Sequence, residues 1–189
     1  MTYFEGIIVS KNHKVNVSAA GAELEKGIMK MRIYRPSDTA KNLENYNKFT
    51  FSLTADPDLF YKAALRGQND PKIQELDDEE LVRNNEFLYP EKASIVYFCK
   101  IKDREEISEK DKFGEVKILE IKAEIIDKKG SGDYIQRENP LVDAMVYATR
   151  KHVADEGQIE KIIEKVKNLL KDEEGELASK IIAYVEGTK

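Results

Sequence analysis

Two periodicities divide this chain, and they limit what it can fold into. Up to about Ile126, apolar side chains recur at every second position in one segment after another. Beyond Pro140 they recur at i, i+3, i+4 and i+7. A period of two belongs to a strand with one buried face, and a period near 3.6 to an amphipathic helix. Strands first and helices last imply an antiparallel sheet or small barrel with a helical appendage. A parallel sheet would need the two kinds of segment to alternate.

Glu5–Ser10 and Lys14–Ala20 read as strands joined by a turn at Lys11-Asn12-His13, with Gly21 and Gly27 punctuating the next connection. Ile28–Tyr34 alternates, with Met29, Met31 and Ile33 on one face. Arg35-Pro36-Ser37-Asp38-Thr39 then breaks the strand and caps a short helix over Ala40–Tyr46. Lys48–Thr54 is a further strand. Asp56-Pro57 opens a second helix, with Leu59, Phe60, Ala63 and Ala64 as its stripe and Gly67 as its stop. Residues 68–92 are polar and acidic and read as a surface excursion with a short helix near Asp78–Arg83. Ala93–Ile101 and Phe113–Ile126 are strong strands. In the second, apolar positions change parity between Leu119 and Ile121, which predicts a bulge there. Lys128–Asp133 reads as a loop. Three helices follow, beginning at Pro140 and separated by breaks at Gly157 and Gly175. The expected division is a barrel domain over 1–135, including a helical and loop excursion over 57–92, and a helical subdomain over 136–189.

The 189 residues carry 31 basic and 36 acidic side chains, a formal charge of −5. That balance argues against a nucleic acid partner, since neutralising phosphates needs a basic surface. Residues 1–66 hold 10 basic and 7 acidic groups, +3, against −8 for the rest. A mildly positive N-terminal part suits a small anion. No apolar run approaches a membrane span of about 20 residues, and the N-terminus lacks the pattern of a cleavable signal. A cytoplasmic protein is therefore expected. The single cysteine, Cys99, sits in an apolar strand as a core residue would, and excludes an internal disulfide framework. His13 and His152 are far apart and in no metal-ligand spacing.

No G-x-S-x-G, H-E-x-x-H or Walker loop is present. The acidic run Asp77–Glu80 lacks the alternating ligands of a calcium loop and reads as a solvated helix start. The stretch from Arg32 to Thr54 is more informative. Ser37, Asp38 and Thr39 stand where free backbone N–H groups begin a helix, a place that suits phosphate. Arg32 or Arg35 could balance the charge, and Asn42 lies one turn on. The same residues are also ordinary helix caps.

EGIIVS, VNVSAAGAE, MKMRIYRPSDTAKNLENYNKFTFSLTADPDLFYKAAL and, further on, RENPLVDAMVYATR together resemble an archaeal family of FMN-binding split-barrel proteins, flavin-reductase-like and catalogued mainly as a domain of unknown function. The resemblance covers most of the chain. It implies a six-stranded antiparallel split barrel that binds FMN, usually as a homodimer with sites near the subunit interface. Carried over by motif, Ser37, Thr39 and Asn42 would hold the phosphate with Arg32 or Arg35 nearby. Asn16, Ser18 and Ala19 would run along the isoalloxazine edge, and Thr54 would complete the pocket. Arg150 could also reach a ligand. The family's usual Asn-Ala-Ala-Pro is replaced here by Asn16-Val17-Ser18-Ala19-Ala20-Gly21. Two functions compete: an FMN-dependent oxidoreductase with a small-molecule electron donor or acceptor, and a non-catalytic module binding FMN or another phosphorylated ligand.

Overall fold

The computed structural model describes residues 2–67, 74–111, 114–134 and 139–187. Eight strands are present among them: β1 (Thr2–Lys11), β2 (Val15–Glu25), β3 (Ile28–Tyr34), β4 (Lys48–Leu53), β5 (Leu81–Asn84), β6 (Phe87–Pro90), β7 (Ile95–Asp111) and β8 (Gly114–Gly130). Six of them close an antiparallel barrel in the order β1-β2-β3-β8-β7-β4, while β5 and β6 form a separate hairpin. The fold expected from the periodicities is thus the one observed.

Alternation explains the barrel interior. Met29, Met31 and Ile33 of β3, Phe49 and Phe51 of β4, and Leu119, Ile121 and Ala123 of β8 form one buried cluster with Ile8 and Leu43. Cys99 belongs to it and is fully buried. Burial pushes its thiol pKa up, which keeps the reactive thiolate scarce. A disulfide reagent should therefore label the protein only as fast as it unfolds, checked by following the labelling rate against urea concentration. Rapid labelling in native buffer would contradict this placement.

The outward residues Ile7 and Val9 of β1 and Val17 of β2 belong to a second core, built with the helices. Helix α1 (Asp38–Asn45) starts at Ser37, whose hydroxyl accepts the Ala40 N–H at 3.1 Å. Helix α2 (Pro57–Tyr61) is capped by Asp56 and runs directly into a π-helical turn over Lys62–Arg66. Helix α3 (Pro140–Thr149) is capped by Asn139. Helices α4 (Glu156–Leu169) and α5 (Glu176–Glu186) follow, and Val142, Met145, Val166 and Ile181 seal this core. None of the helices among the described residues is long and apolar enough to cross a membrane.

Several local expectations are corrected. Strand β2 continues through Gly21 to Glu25. The expected excursion contains the β5–β6 hairpin after a 3₁₀ turn over Asp78–Glu80. The break before α4 falls at Asp155, which makes a capping box with Gln158, so Gly157 lies inside the helix. Alternation in β8 runs unbroken from Leu119 to Ala123. The extra residues sit at Ile126 of β8 and Lys102 of β7, where the pairing register shifts. Strand β8 also continues to Gly130, into the expected loop. Phe113, residues 68–73 of the expected excursion, and the expected domain boundary at 135/136 lie outside the described residues.

Candidate functional site

Strand β2 pairs with β1 along its whole length but with β3 only through Ala22–Glu25. Among the described residues no strand covers the other edge of β2 from Val15 to Gly21. Strand β3 continues instead along β8 to the turn at Arg35, and the first turn of α1 enters the gap. A groove of about 1220 Å³ opens there. Single-ligand pockets span roughly 300–1,000 Å³, so this one has room for more than one small molecule.

Residues Asn16 to Gly21 line the groove along β2. A second side is formed by Arg32, Ile33, Tyr34, Pro36, Ser37, Asp38 and Thr39 with Val116 and Ile118 of β8. Val116 and Ile118 face the groove rather than the barrel interior, which accounts for the parity change in the sequence. The remaining side comprises Ala63, Ala64, Gly67 and Glu75 with Val146, Thr149 and Arg150 at the end of α3. A π turn widens a helix and re-aims its side chains. Here it carries Ala63 and Ala64, so this wall is made of methyl groups. At one end the Tyr3 hydroxyl donates to Glu5 at 2.9 Å, and it lies where a Cβ on Gly21 would fall.

The gap between β2 and α1 is bridged by Thr39. Its hydroxyl accepts the Asn16 side-chain amide at 2.7 Å and shares a 2.8 Å hydrogen bond with the Ser18 hydroxyl. The Ser37 hydroxyl donates to the Tyr34 carbonyl at 2.6 Å. Since Ser37 also satisfies the Ala40 N–H, the N–H groups of Asp38 and Thr39 are those the helix start leaves without an intrahelical partner. Arg32 pairs with Glu109 on the β7 arm. The Arg150 guanidinium lies 4.9 Å from the centre of the Tyr147 ring.

Of the sequence-derived candidates, Asn16, Ser18, Ala19, Arg32, Ser37, Thr39 and Arg150 share this groove. Arg35, Asn42 and Thr54 do not line it. Arg35 is ion-paired with Glu44 of α1 and, at 2.8 Å, with Glu106 of β7. Asn42 is buried and donates its amide to the Ser10 carbonyl and hydroxyl and to the Lys14 carbonyl. The Thr54 hydroxyl accepts the Asp56 N–H at 3.0 Å.

Glu75 was not singled out by the sequence, where it is one acid among many. In the fold its carboxylate packs on Gly67, whose added Cβ would fall 2.7 Å from Oε1. Burial raises its pKa. The backbone N–H groups of Glu75 itself and of Val17, with the charge of Lys14, oppose that rise, while Asp38 adds to it.

This topology, with its strand edge opened beside a helix start, is a six-stranded antiparallel split barrel. Residues 4–129 match the family model described as "Protein of unknown function (DUF447) N-terminal domain", and the chain belongs to that family. The resemblance read from the sequence blocks is borne out. Among solved structures the chain is similar to an FMN-bound protein of Methanosarcina mazei assigned to the same family. That match has a TM-score of 0.70 at 16% identity and covers 98% of this chain and 94% of that one. It is also similar to a flavin reductase domain protein from Arthrobacter (TM-score 0.55, 10% identity, 71% and 81% covered). An NADH:FAD oxidoreductase of Streptomyces globisporus gives a TM-score of 0.56 at 10% identity, with 71% and 80% covered. At these identities the likeness carries the fold alone. A comparison with curated protein sequences found no match.

Proposed function

We propose that this chain binds FMN in the groove between β2, α1 and α3. The observation that carries the reading is the uncovered edge of β2, faced by small residues. A flat ring needs close approach to backbone, and Ala19, Ala63 and Ala64 supply it. A strand edge offers unpaired N–H and C=O groups to the ring's polar rim, and the start of α1 offers N–H groups and a favourable dipole to the phosphate. In this reading Asn16, Ser18 and Ala19 run along the isoalloxazine edge. Ser37 and Thr39 shape the phosphate end, with Arg32 or Arg150 balancing its charge. Arg35, Asn42 and Thr54 hold the surrounding frame.

When bound, FMN supplies exchange of a hydride or of electrons. The chain's own contribution is to seat the ring, fix its orientation and limit water on the Ala63–Ala64 side. Tyr34, Val116 and Ile118 leave an apolar stretch of the groove for a small-molecule donor or acceptor. The reading is of a cytoplasmic homodimer, possessing oxidoreductase activity on an electron donor of that kind. Its test is a visible absorption spectrum of the purified full-length protein after addition of FMN and removal of the excess. A retained flavin spectrum is the expected result. A colourless protein would return Ser37 and Thr39 to the role of helix caps. Bleaching of retained FMN by NADH or NADPH faster than free flavin would support catalysis, and its absence would favour the non-catalytic module.

A further inference from the structure

We infer that Glu75 selects the ligand's ring edge: its carboxylate accepts a ring N–H, so the groove favours a heterocycle whose N–H is flanked by carbonyl oxygens. This rests on the flavin reading of the groove and adds to it the residue that reads the ring.

The geometry leads there in three steps. Glu75 lines the groove and is held close by Gly67, with no side chain between them. Glu75 and Val17 line the same groove, so the carboxylate shares that space with the edge of β2 that no strand covers. A carboxylate has about four lone-pair positions. In the groove wall Glu75 brings that capacity to a ligand.

The surroundings make that capacity matter. Half-burial penalises the charge, and each additional donor offsets part of the penalty. A strand edge presents N–H donors for ring carbonyls, and Glu75 presents an acceptor for the N–H between them. Together they match an imide edge, which the pyrimidine-dione end of FMN carries. A ligand with a methyl group on that nitrogen would meet the carboxylate with no donor and leave it buried and short of partners, the costly case for a polar group.

The experiment compares FMN with N3-methyl-FMN, titrated into the full-length protein and followed by flavin fluorescence. The wild type is expected to bind FMN at least about tenfold more tightly than the methylated flavin, the scale of one charge-assisted hydrogen bond. Glu75→Ala is expected to bind the two within about twofold of each other, and Glu75→Gln, which keeps an oxygen acceptor, to recover most of the preference. Thermal melts of both variants check that they fold. Equal binding of both flavins by the wild type overturns the assignment even if neither variant folds. Full discrimination in Glu75→Ala overturns it too, because the backbone would then do the reading. Tighter FMN binding by Glu75→Ala would show the carboxylate to be an occupant of the site and would equally overturn it. A wild type that binds neither flavin defeats the flavin reading itself, and this inference falls with it.

Discussion

Replacing Asn42 with alanine is expected to lower the stability of the protein by about 3 kcal/mol, the sum of leaving buried acceptors without a donor. Asn42 is 9% exposed, and its one amide group serves the Ser10 carbonyl at 3.3 Å, the Ser10 hydroxyl at 3.2 Å and the Lys14 carbonyl at 3.1 Å. These acceptors flank the β1–β2 turn, so the amide fastens α1 to the closed end of that hairpin. Alanine can donate to none of them, and Ser10 is itself fully buried. For a chain of this size about 3 kcal/mol corresponds to a fall in Tm of roughly 6–12 °C, read from a thermal melt. A shift under about 2 °C would mean that water reaches these acceptors. The same placement predicts that FMN binding by Asn42→Ala weakens only through loss of folded protein, since the side chain does not line the groove.

Replacing Ala19 with phenylalanine should act in the opposite way, sparing the fold and removing the ligand. Ala19 pairs with Ile7 of β1, points away from the barrel interior and is only partly buried. A benzyl group there fills the space over the β2 edge that a flat ring needs. FMN affinity is expected to fall at least about 100-fold, or about 2.7 kcal/mol, with little change in Tm. Flavin fluorescence titration and a thermal melt on the same sample separate the two effects. Undiminished affinity would show that the ring does not lie over Ala19.

The parts of this structure legible in the sequence are those governed by local chemistry. Ser37 and Asp56 cap helices because a short polar side chain reaches the first N–H groups, and Pro57 and Pro140 suit the first helical position. Met29, Met31 and Ile33 announce their strand because one face is buried throughout. The hairpin of β5 and β6 was not legible. Each strand has four residues, and the turn places Asn85 at φ 53° without the glycine that usually marks such a turn. The outer half of β7, residues 102–109, is charged and solvated, so alternation has no buried face to record, and its strand form comes from pairing with β8.

The groove was half legible for a related reason. Hydroxyls and amides at Ser37, Thr39, Asn16 and Ser18 signal polar contacts, although Thr39 spends its hydroxyl on Asn16 and Ser18. Ala63 and Ala64 carry no such sign, because their contribution is the space they leave, and the one glycine nearby, Gly67, makes room for Glu75. Glu75 becomes distinctive only when the fold brings it to the groove that Val17, 58 positions earlier in the chain, also lines. The error over Val116 and Ile118 has the same origin: apolar side chains facing a groove have the spacing of side chains facing a core.

The opening in the barrel also bears on how this protein keeps company with copies of itself. From Val15 to Gly21 the backbone of β2 presents what an extended peptide needs in order to dock as an extra strand. Proteins commonly guard such a slot with a charge placed over it. Glu75 is a carboxylate lining the same groove, and a foreign strand sliding in would have to pass it. The carboxylate placed to meet a small ring would thus meet any strand that entered the same slot, and charge at an open edge is a common obstacle to pairing between copies.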